Sequence, residues 1–508
     1  MFYNIKPMRI ISYDEMIVNA IFFHYSSILG ILKVIISFLD KIFELYYNKY
    51  KKQYQEAFMS FKKSFVWGAA TASYQIEGAW NEDGRGLSVW DVFCHEKGNI
   101  EEGHTGDVAC DHYHRFREDI ALMRELGIKA YRFSISWTRL FPKGTGALNE
   151  NGVRFYSDLI DELLKNGIEP YITLFHWDYP YELYRKGGWL NDESVEWFAD
   201  YAKTVVELFS DRCVHYITMN EPQCFIGSGH LSGTHAPGLR LSYKDIFQIC
   251  HNVLKAHGAA VIAMRAHAKQ PIKIGYAPTC TANYPQSESP EDIEAARKSF
   301  FDCLPLGKRV MWNTAWWSDP VLLGKYPEDG LALYREYLPE ITEEDMKLIH
   351  QPLDFYAQNI YNGKAIRADG KGGYQTAERP VGASKTAIQW SITPECLRWG
   401  PRFLYERYKL PIFITENGMS AHDAVSLDGK VHDPNRIDFL HRYLIELEKA
   451  TDDGVEIDGY FLWSFMDNFE WAKGYTDRFG IVYVDYETQV RIPKDSAYWY
   501  RDWIKTHS

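Results

Sequence analysis

Short apolar runs alternate with longer amphipathic segments along the chain from Phe65 onward. The apolar runs are rich in β-branched and aromatic residues, which is typical of buried strands. Eight runs are predicted as strands: Phe65–Ala70, Ala130–Trp137, Glu169–Trp177, His215–Asn220, Lys273–Pro278, Phe355–Tyr361, Ile412–Glu416 and Gly459–Phe465. Such alternation indicates a parallel sheet, and eight units predict an α/β fold of the (β/α)8 barrel class, a single domain with long βα loops.

The segments between these strands carry helical periodicity, as in Phe116–Leu126, Gly152–Asn166 and Asp192–Phe209. Two stretches, 283–350 and 363–395, have scattered Gly and Pro and are expected to be long loops or insertions. In a barrel of this class, long βα insertions usually shape the mouth through which substrate enters.

Residues 1–58 differ from the rest of the chain. Ile17–Leu39 is apolar and nearly long enough to span a bilayer, but Lys33 in its middle is costly there. A signal peptide fits less well, because no small-residue cleavage site follows. We favour a true start at Met59, which leads directly into the first strand. The barrel domain is therefore predicted over 59–508, and membrane association is expected only through the preceding extension.

Charge and cysteine content narrow the function classes. The chain has a net charge of −12, and residues 1–58 hold seven basic and five acidic residues, so the remainder carries −14. This argues against a nucleic-acid surface, which needs a basic patch. The eight cysteines are sparse, with no C-x-x-C pair, and the chain has no N-x-S/T sequon. Both observations favour a cytoplasmic protein with reduced thiols.

Two glutamates end predicted strands in the same way. Glu221 closes the run that begins at Val214, and Glu416 closes the run that begins at Pro411. The C-terminal ends of barrel strands are where this fold keeps its chemistry. Two carboxyl groups there suggest the acid and the nucleophile of glycoside hydrolysis, separated by roughly 5 Å in the retaining version. Arg132, on the second strand, is the candidate that would keep the nucleophile ionised.

Four motifs carry a family resemblance. They are Phe65–Gly78 (FVWGAATASYQIEG), Thr218–Pro222 (TMNEP), Ile414–Gly418 (ITENG) and Trp463–Trp471 (WSFMDNFEW). In this order and spacing they are highly specific. Over about residues 61–505 the chain resembles glycoside hydrolase family 1, the retaining β-glucosidase family.

The resemblance implies a role for each matching residue. Glu221 would be the general acid/base and Glu416 the nucleophile, supported by Arg132 and Tyr361. The residues implied in substrate binding are Gln75, His176, Trp177, Asn220, Asn359, Tyr361, Trp390, Trp463, Glu470 and Trp471. Trp463 would lie under the sugar ring and Trp390 on the aglycone side. Taken singly, strand tryptophans such as Trp177 and Trp463 are core residues more often than site residues.

No metal and no cofactor are expected. His112 and His114 have the spacing of metal ligands, but no second ligand cluster accompanies them. The chain departs from the family pattern at Tyr179–Leu183, where a Leu-Pro-Gln run is more common, and at Gln389–Ile392, where Gly-Trp-Glu-Ile is common. Both departures put the aglycone preference in doubt rather than the catalysis.

The resemblance predicts hydrolysis of a small-molecule β-glycoside, with cellobiose and aryl β-glucosides as the favoured substrates. β-Galactosidase or β-fucosidase specificity stays open, because Gln75 and Glu470 could serve either 4-epimer. A 6-phospho-β-glucosidase is a weaker alternative, since a carboxylate at Glu470 repels phosphate. An alternative of another class is a non-catalytic, membrane-tethered sugar-binding protein, which rests only on residues 1–58. The sequence leaves the aglycone and the oligomeric state undetermined.

Overall fold

The computed structural model describes residues 61–307 and 309–507, so the predictions for residues 1–58 lie outside the described residues. Eight parallel strands close a barrel, and the predicted (β/α)8 fold is confirmed. The strands are β1 (Val66–Ala70), β2 (Ala130–Ser134), β3 (Glu169–Phe175), β4 (His215–Asn220), β5 (Lys273–Ala277), β6 (Phe355–Ile360), β7 (Ile412–Asn417) and β8 (Ile457–Trp463). Each pairs with its neighbours in chain order, and β8 pairs with β1 to complete the ring.

Helices separate consecutive strands. The longer ones are His112–Glu125, Glu150–Lys165, Ser194–Phe209, Tyr243–His267, Cys396–Tyr408, Pro434–Asp452 and Asp495–His507. Shorter α-helices are Ser73–Ile76, Val89–His95, Trp137–Leu140, Tyr181–Tyr184 and Pro222–Ile226; 3-10 turns are Glu101–Gly103, Gly188–Leu190 and Trp471–Lys473; a π-helical segment is Gly227–Ser232. Within the described residues, no helix has the length and hydropathy needed to cross a bilayer.

The barrel interior is filled by aromatic and small side chains. The Tyr171 ring lies 4.8 Å from Phe461, and Phe355 lies 5.0 Å from Phe413, measured between ring centroids. These residues pack with Ile217 in one buried cluster. The barrel is therefore a packed core rather than a channel, and it forms a rigid base for the residues at the C-terminal ends of the strands.

The stretch 283–350, expected to be a long loop or an insertion, is an insertion with helices of its own. This insertion after β5 contains four helices: Pro290–Phe301, Thr314–Leu323, Glu328–Tyr334 and Glu343–Ile349. The first has a recognisable start, because Ser289 Oγ accepts a hydrogen bond from the Asp292 amide and Pro290 occupies the first turn. The stretch 363–395 is mainly irregular, with two short strands at Ala365–Ala368 and Tyr374–Thr376.

The remaining strands are short. They are Thr279–Cys280, which extends the barrel sheet beside β6, Tyr284–Pro285, which pairs with Ala365–Ala368, and the antiparallel pair Val482–Val484 and Arg491–Pro493.

A buried ionic cluster holds the loop that follows β8. Asp467 in this loop accepts hydrogen bonds from Lys494 Nζ at 2.7 Å and from Arg478 NH1 at 2.7 Å. Lys494 also contacts Asp423, which pairs with Arg436 at 2.7 Å. Removing one partner of a buried pair leaves an uncompensated charge, so these contacts fix the loop to the last helical segment of the chain.

Candidate active site

The two strand-end glutamates lie in one pocket of about 520 Å³ at the C-terminal end of the barrel. Nine of the predicted site residues line the pocket: His176, Trp177, Glu221, Tyr361, Trp390, Glu416, Trp463, Glu470 and Trp471. Gln75, Arg132, Asn220 and Asn359 are not among the lining residues. A concave site with a few converging polar groups and several aromatic rings is typical of small-molecule binding.

Glu416 is held by one cation and one hydroxyl group. Arg132 NH1 donates to Glu416 Oε1 at 2.6 Å, and Tyr361 Oη donates to Oε2 at 2.8 Å. Burial raises the pKa of Glu416, while the Arg132 guanidinium and the two hydrogen bonds oppose that rise. Because its partners all stabilise the charged form, this carboxyl group is the one suited to remain ionised.

Arg132 is itself fixed from three directions. Its Nε donates to Thr173 Oγ1 at 3.0 Å, and NH2 donates to Asn220 Oδ1 at 2.6 Å. The side chain is fully buried. The planar guanidinium therefore has one orientation, in which NH1 points at Glu416.

Glu221 is held by two neutral groups. Asn359 Nδ2 donates to its Oε1 at 2.9 Å, and Cys224 Sγ donates to its Oε2 at 3.1 Å. Burial, reinforced by the charge of Glu416, raises the pKa of Glu221 to about 7. A carboxyl group with neutral partners and a raised pKa beside a second one paired with an arginine is an arrangement suited to glycoside hydrolysis.

Asn359 and Asn220 link the two glutamates. Asn359 Nδ2 also donates to Asn220 Oδ1 at 2.9 Å, and its own Oδ1 accepts from Thr415 Oγ1 at 2.7 Å. The amide of Asn359 is thus committed to protein partners. These contacts favour a positioning role for Asn359, whereas the sequence-based prediction placed it among the substrate-binding residues.

His176 and Trp177 lie next to this network. His176 Nε2 lies 3.0 Å from Asn220 Nδ2, and Trp177 Nε1 donates to the Asn220 carbonyl at 2.9 Å. Burial, with a smaller contribution from Arg132, lowers the pKa of His176 well below its usual value. A lowered pKa favours the neutral imidazole, which would accept from Asn220 at Nε2 and carry its proton on Nδ1, an atom without a hydrogen-bond partner among the described residues.

Buried polar atoms at or beside the pocket that have no hydrogen-bond partner among the described residues include Gln75 Oε1, His176 Nδ1 and Glu470 Oε2. Gln75 Nε2 is held by Asn468 Oδ1 at 3.0 Å and by the Phe469 carbonyl at 2.9 Å. Burial, and then Asp477, raises the pKa of Glu470 well above its usual value. Unpartnered buried polar atoms are costly, and ligand hydroxyl groups would satisfy them.

Three pocket residues other than glycine have a left-handed backbone. The φ angles are 80° at Trp177, 46° at Glu221 and 51° at Trp471. This conformation is unfavourable for side chains with a Cβ, and it persists where the surroundings over-determine it. The strain coincides with the residues that the sequence predicts to contact the substrate.

The outer part of the pocket has a different lining. Trp390 packs against Tyr361 with ring centroids 5.1 Å apart. Further lining residues that the sequence analysis did not identify as site residues include Cys224, Ser228, His235, Thr279, Cys280, Arg309, Trp312 and Ile388. Half of them lie on irregular segments and the others on short elements of two to six residues, so no regular sequence pattern marks them. Cys224 is the exception, because it lies three residues after Glu221 on a predictable helical turn.

The histidine pair with metal-like spacing makes separate contacts. His112 Nδ1 lies 2.7 Å from Asp119 Oδ2, and His114 Nδ1 lies 2.6 Å from Asp111 Oδ1. Across the residues that the structure describes, no group of three or more His, Cys, Asp or Glu side chains is arranged to hold a metal ion.

The model of glycosyl hydrolase family 1 matches residues 57–508. The chain belongs to glycosyl hydrolase family 1. Among family 1 relatives, β-glucosidase A of Thermotoga maritima is 46% identical over 449 residues, which are 88% of this chain and 98% of that protein. β-Glucosidase A of Acetivibrio thermocellus is 46% identical, with 88% and 99% covered. The aryl-phospho-β-D-glucosidase BglC of Bacillus subtilis is 40% identical, with 88% and 98% covered.

Solved family 1 structures agree with the fold. The Thermotoga maritima β-glucosidase in complex with glucoimidazole has a TM-score of 0.80 and 46% identity, and covers 88% of this chain and 99% of its own. The same protein in complex with galacto-hydroximolactam has a TM-score of 0.80, with 89% and 99% covered.

Proposed function

We propose that this family 1 protein is a retaining exo-β-glycosidase, namely a β-glucosidase that removes terminal non-reducing β-D-glucosyl residues from cellobiose and aryl β-glucosides. The observation that carries the proposal is the unequal pair of carboxyl groups in one pocket. Glu221 has a pKa of about 7, whereas Glu416 is paired with Arg132. The non-catalytic alternative would not need this pair.

The reaction is a double displacement. In the first step Glu221 gives its proton to the glycosidic oxygen while Glu416 attacks the anomeric carbon, which forms a glycosyl-enzyme and releases the aglycone. In the second step Glu221, now a carboxylate, takes a proton from water, and the water oxygen displaces Glu416 from the anomeric carbon. Two inversions give net retention of the β configuration.

The glycone would be held by hydrogen bonds from its hydroxyl groups to an amide, a carboxyl group and an imidazole at the pocket floor. Gln75 Oε1 and Glu470 Oε2 are unpartnered, and His176 has a free ring N–H for a hydroxyl group. Trp463 and Trp471 offer apolar faces to the C–H groups of the sugar ring. Asn220 would contact the 2-hydroxyl, a hydrogen bond expected to strengthen in the transition state.

The choice of glucose as the preferred sugar rests on the relatives. Two of the three relatives described above bear the name β-glucosidase, and the third acts on a phosphorylated aryl glucoside. The solved relative binds a galactose-type inhibitor as well as a glucose-type one. A secondary β-galactosidase or β-fucosidase activity is therefore compatible with this pocket. Growth on cellulose-derived cellobiose is the corresponding physiological proposal.

One substrate panel tests the proposal. We expect turnover of nitrophenyl β-D-glucoside and of cellobiose, with β-glucose as the first-formed product in a polarimetric or NMR assay. A preference for the 6-phosphorylated glucoside over the unphosphorylated one would replace the proposal by the phospho-glucosidase alternative. Release of α-glucose would contradict the retaining mechanism.

The raised pKa of Glu221 predicts the pH dependence. The first step needs Glu221 protonated, and its pKa is about 7. Activity, measured as kcat/KM, should therefore fall as the pH rises through about 7. The expected fall is checked by measuring kcat/KM on cellobiose between pH 4 and 9, in steps of about half a pH unit. A basic limb that lies far above neutrality would contradict the proton assignment.

We also propose that the catalytic domain is residues 59–508 and that it functions in the cytoplasm. The packed core of the barrel domain begins at Phe61. The rings of Phe61, Phe65 and Trp67 pack together with centroid distances of 4.5–5.1 Å, and we call this group the sealing cluster. The sparse cysteines support a reducing compartment.

A protein that begins at Met59 should match the full chain in kcat/KM for nitrophenyl β-glucoside. Its thermal unfolding midpoint should change by no more than a few degrees, because the sealing cluster remains intact. The comparison uses both proteins purified in the same buffer. A large loss of kcat/KM in the shorter protein would show that residues 1–58 contribute to the catalytic unit.

A further inference from the structure

Cys224 makes the second contact of Glu221, and no step of the proposed reaction uses it. Its Sγ lies 3.1 Å from Glu221 Oε2, and its backbone amide donates to the Glu221 carbonyl at 2.9 Å. The thiol lines the pocket. Burial, and then the charge of Glu221, raises the pKa of Cys224 well above its usual value. The group is therefore a neutral thiol rather than a thiolate.

The two oxygens of Glu221 have different partners. Oε1 faces Asn359 Nδ2, and the orientation of that amide is fixed because its Oδ1 accepts from Thr415. An amide NH2 group donates only, so a proton on Oε1 would point at another donor. A thiol sulfur can donate or accept weakly, and its hydrogen rotates freely. Only Oε2 therefore has a neighbour that tolerates both protonation states of Glu221.

We propose that Cys224 is a positioning residue that makes Oε2 the proton-carrying oxygen of Glu221 and stabilises the carboxylate after the proton has left. In the acid form, the Oε2 proton lies beside the Cys224 sulfur and the pocket. Once the proton has passed to the glycosidic oxygen, the S–H group turns to donate to Oε2. No bond to sulfur forms or breaks in this exchange. The inference rests on the proposed acid/base role of Glu221.

The pH dependence of kcat/KM on cellobiose tests this role. A donor to the charged form lowers the pKa of the acid, so Cys224→Ala should move the basic limb upward by about half a pH unit or more. Cys224→Ser keeps a donor and should hold the limb at or below its wild-type position. A merely structural role would reduce stability without moving the limb.

Cys213→Ala is the matched control. Cys213 is a buried cysteine that lies just before the N-terminal end of β4, whereas Cys224 follows the C-terminal end of that strand. Its limb should coincide with that of the wild type. A Cys224→Ala limb that stays in place or moves downward would overturn the inference. Glu221→Gln separates the two proposals. If this variant keeps the basic limb of the wild type, the acid/base assignment itself fails. If the variant loses the basic limb but Cys224→Ala leaves the limb unmoved, only the role of Cys224 is rejected.

Discussion

Glu416→Gly should lower kcat for nitrophenyl β-glucoside by on the order of 10⁴-fold or more, because the change removes the carboxylate that attacks the anomeric carbon. The side chain is almost fully buried and is held by Arg132 at 2.6 Å and by Tyr361 at 2.8 Å. Its removal leaves a space about the size of a small anion. Added azide should therefore restore turnover of an activated glucoside and give the α-glucosyl azide.

The product configuration makes this test specific. With Glu416 absent, azide attacks directly from the face that the carboxylate had occupied, so one inversion replaces two. Glu487→Gly is the matched control, because Glu487 is exposed in a turn far along the chain, and it should keep wild-type kcat. Near-normal turnover by Glu416→Gly without azide would remove Glu416 from the mechanism.

Glu221→Gln should lower activity to a different extent on substrates with different leaving groups. Cellobiose needs protonation of its departing oxygen, so its kcat/KM should fall by on the order of 10²–10⁴-fold. A dinitrophenyl glucoside leaves without a proton, so its first step should be much less affected. The glycosyl-enzyme should then accumulate, because the base of the second step is also missing.

A pre-steady-state burst of dinitrophenolate measures this accumulation, and azide should speed its decay to the β-glucosyl azide. The basic limb near pH 7 should disappear from the profile, since the group that titrates there is gone. Glu487→Gln serves as the control that keeps both the limb and the cellobiose activity. Equal losses on cellobiose and on the dinitrophenyl glucoside would argue that Glu221 is not the acid.

The barrel was predictable because its strands are short, buried and bounded by polar turns. The bounds of β4, His215–Asn220, were predicted as they are observed, and β2 ends three residues before the predicted Trp137. The prediction ran too far there because Ile135 and Trp137 are buried although they lie beyond the strand. Buried apolar residues that directly follow a strand have the same hydrophobic pattern as residues within the strand, so the pattern does not mark where the strand ends.

The insertion and the outer pocket were not predictable in the same way. The helices Pro290–Phe301 and Glu343–Ile349 have side-chain caps, but scattered Gly and Pro obscured the helical period of this stretch. The strand-end rule indicated Glu221, Glu416 and Arg132 as neighbours, since parallel strands bring their C-terminal ends together. Cys224 was missed because sequence reasoning considered thiols only as redox or metal groups.

The pairing of β8 with β1 and the salt bridges from Lys494 to the loop after β8 have a consequence for how the protein is made on the ribosome. The chain is synthesised from the N-terminus, so β1 emerges long before its partner β8 exists. The barrel has an open edge until β8 leaves the exit tunnel, and the loop with Glu470 that follows β8 is secured only after Lys494 has emerged. A nascent chain is thus without a finished pocket until the segment from β8 to Lys494 has been synthesised.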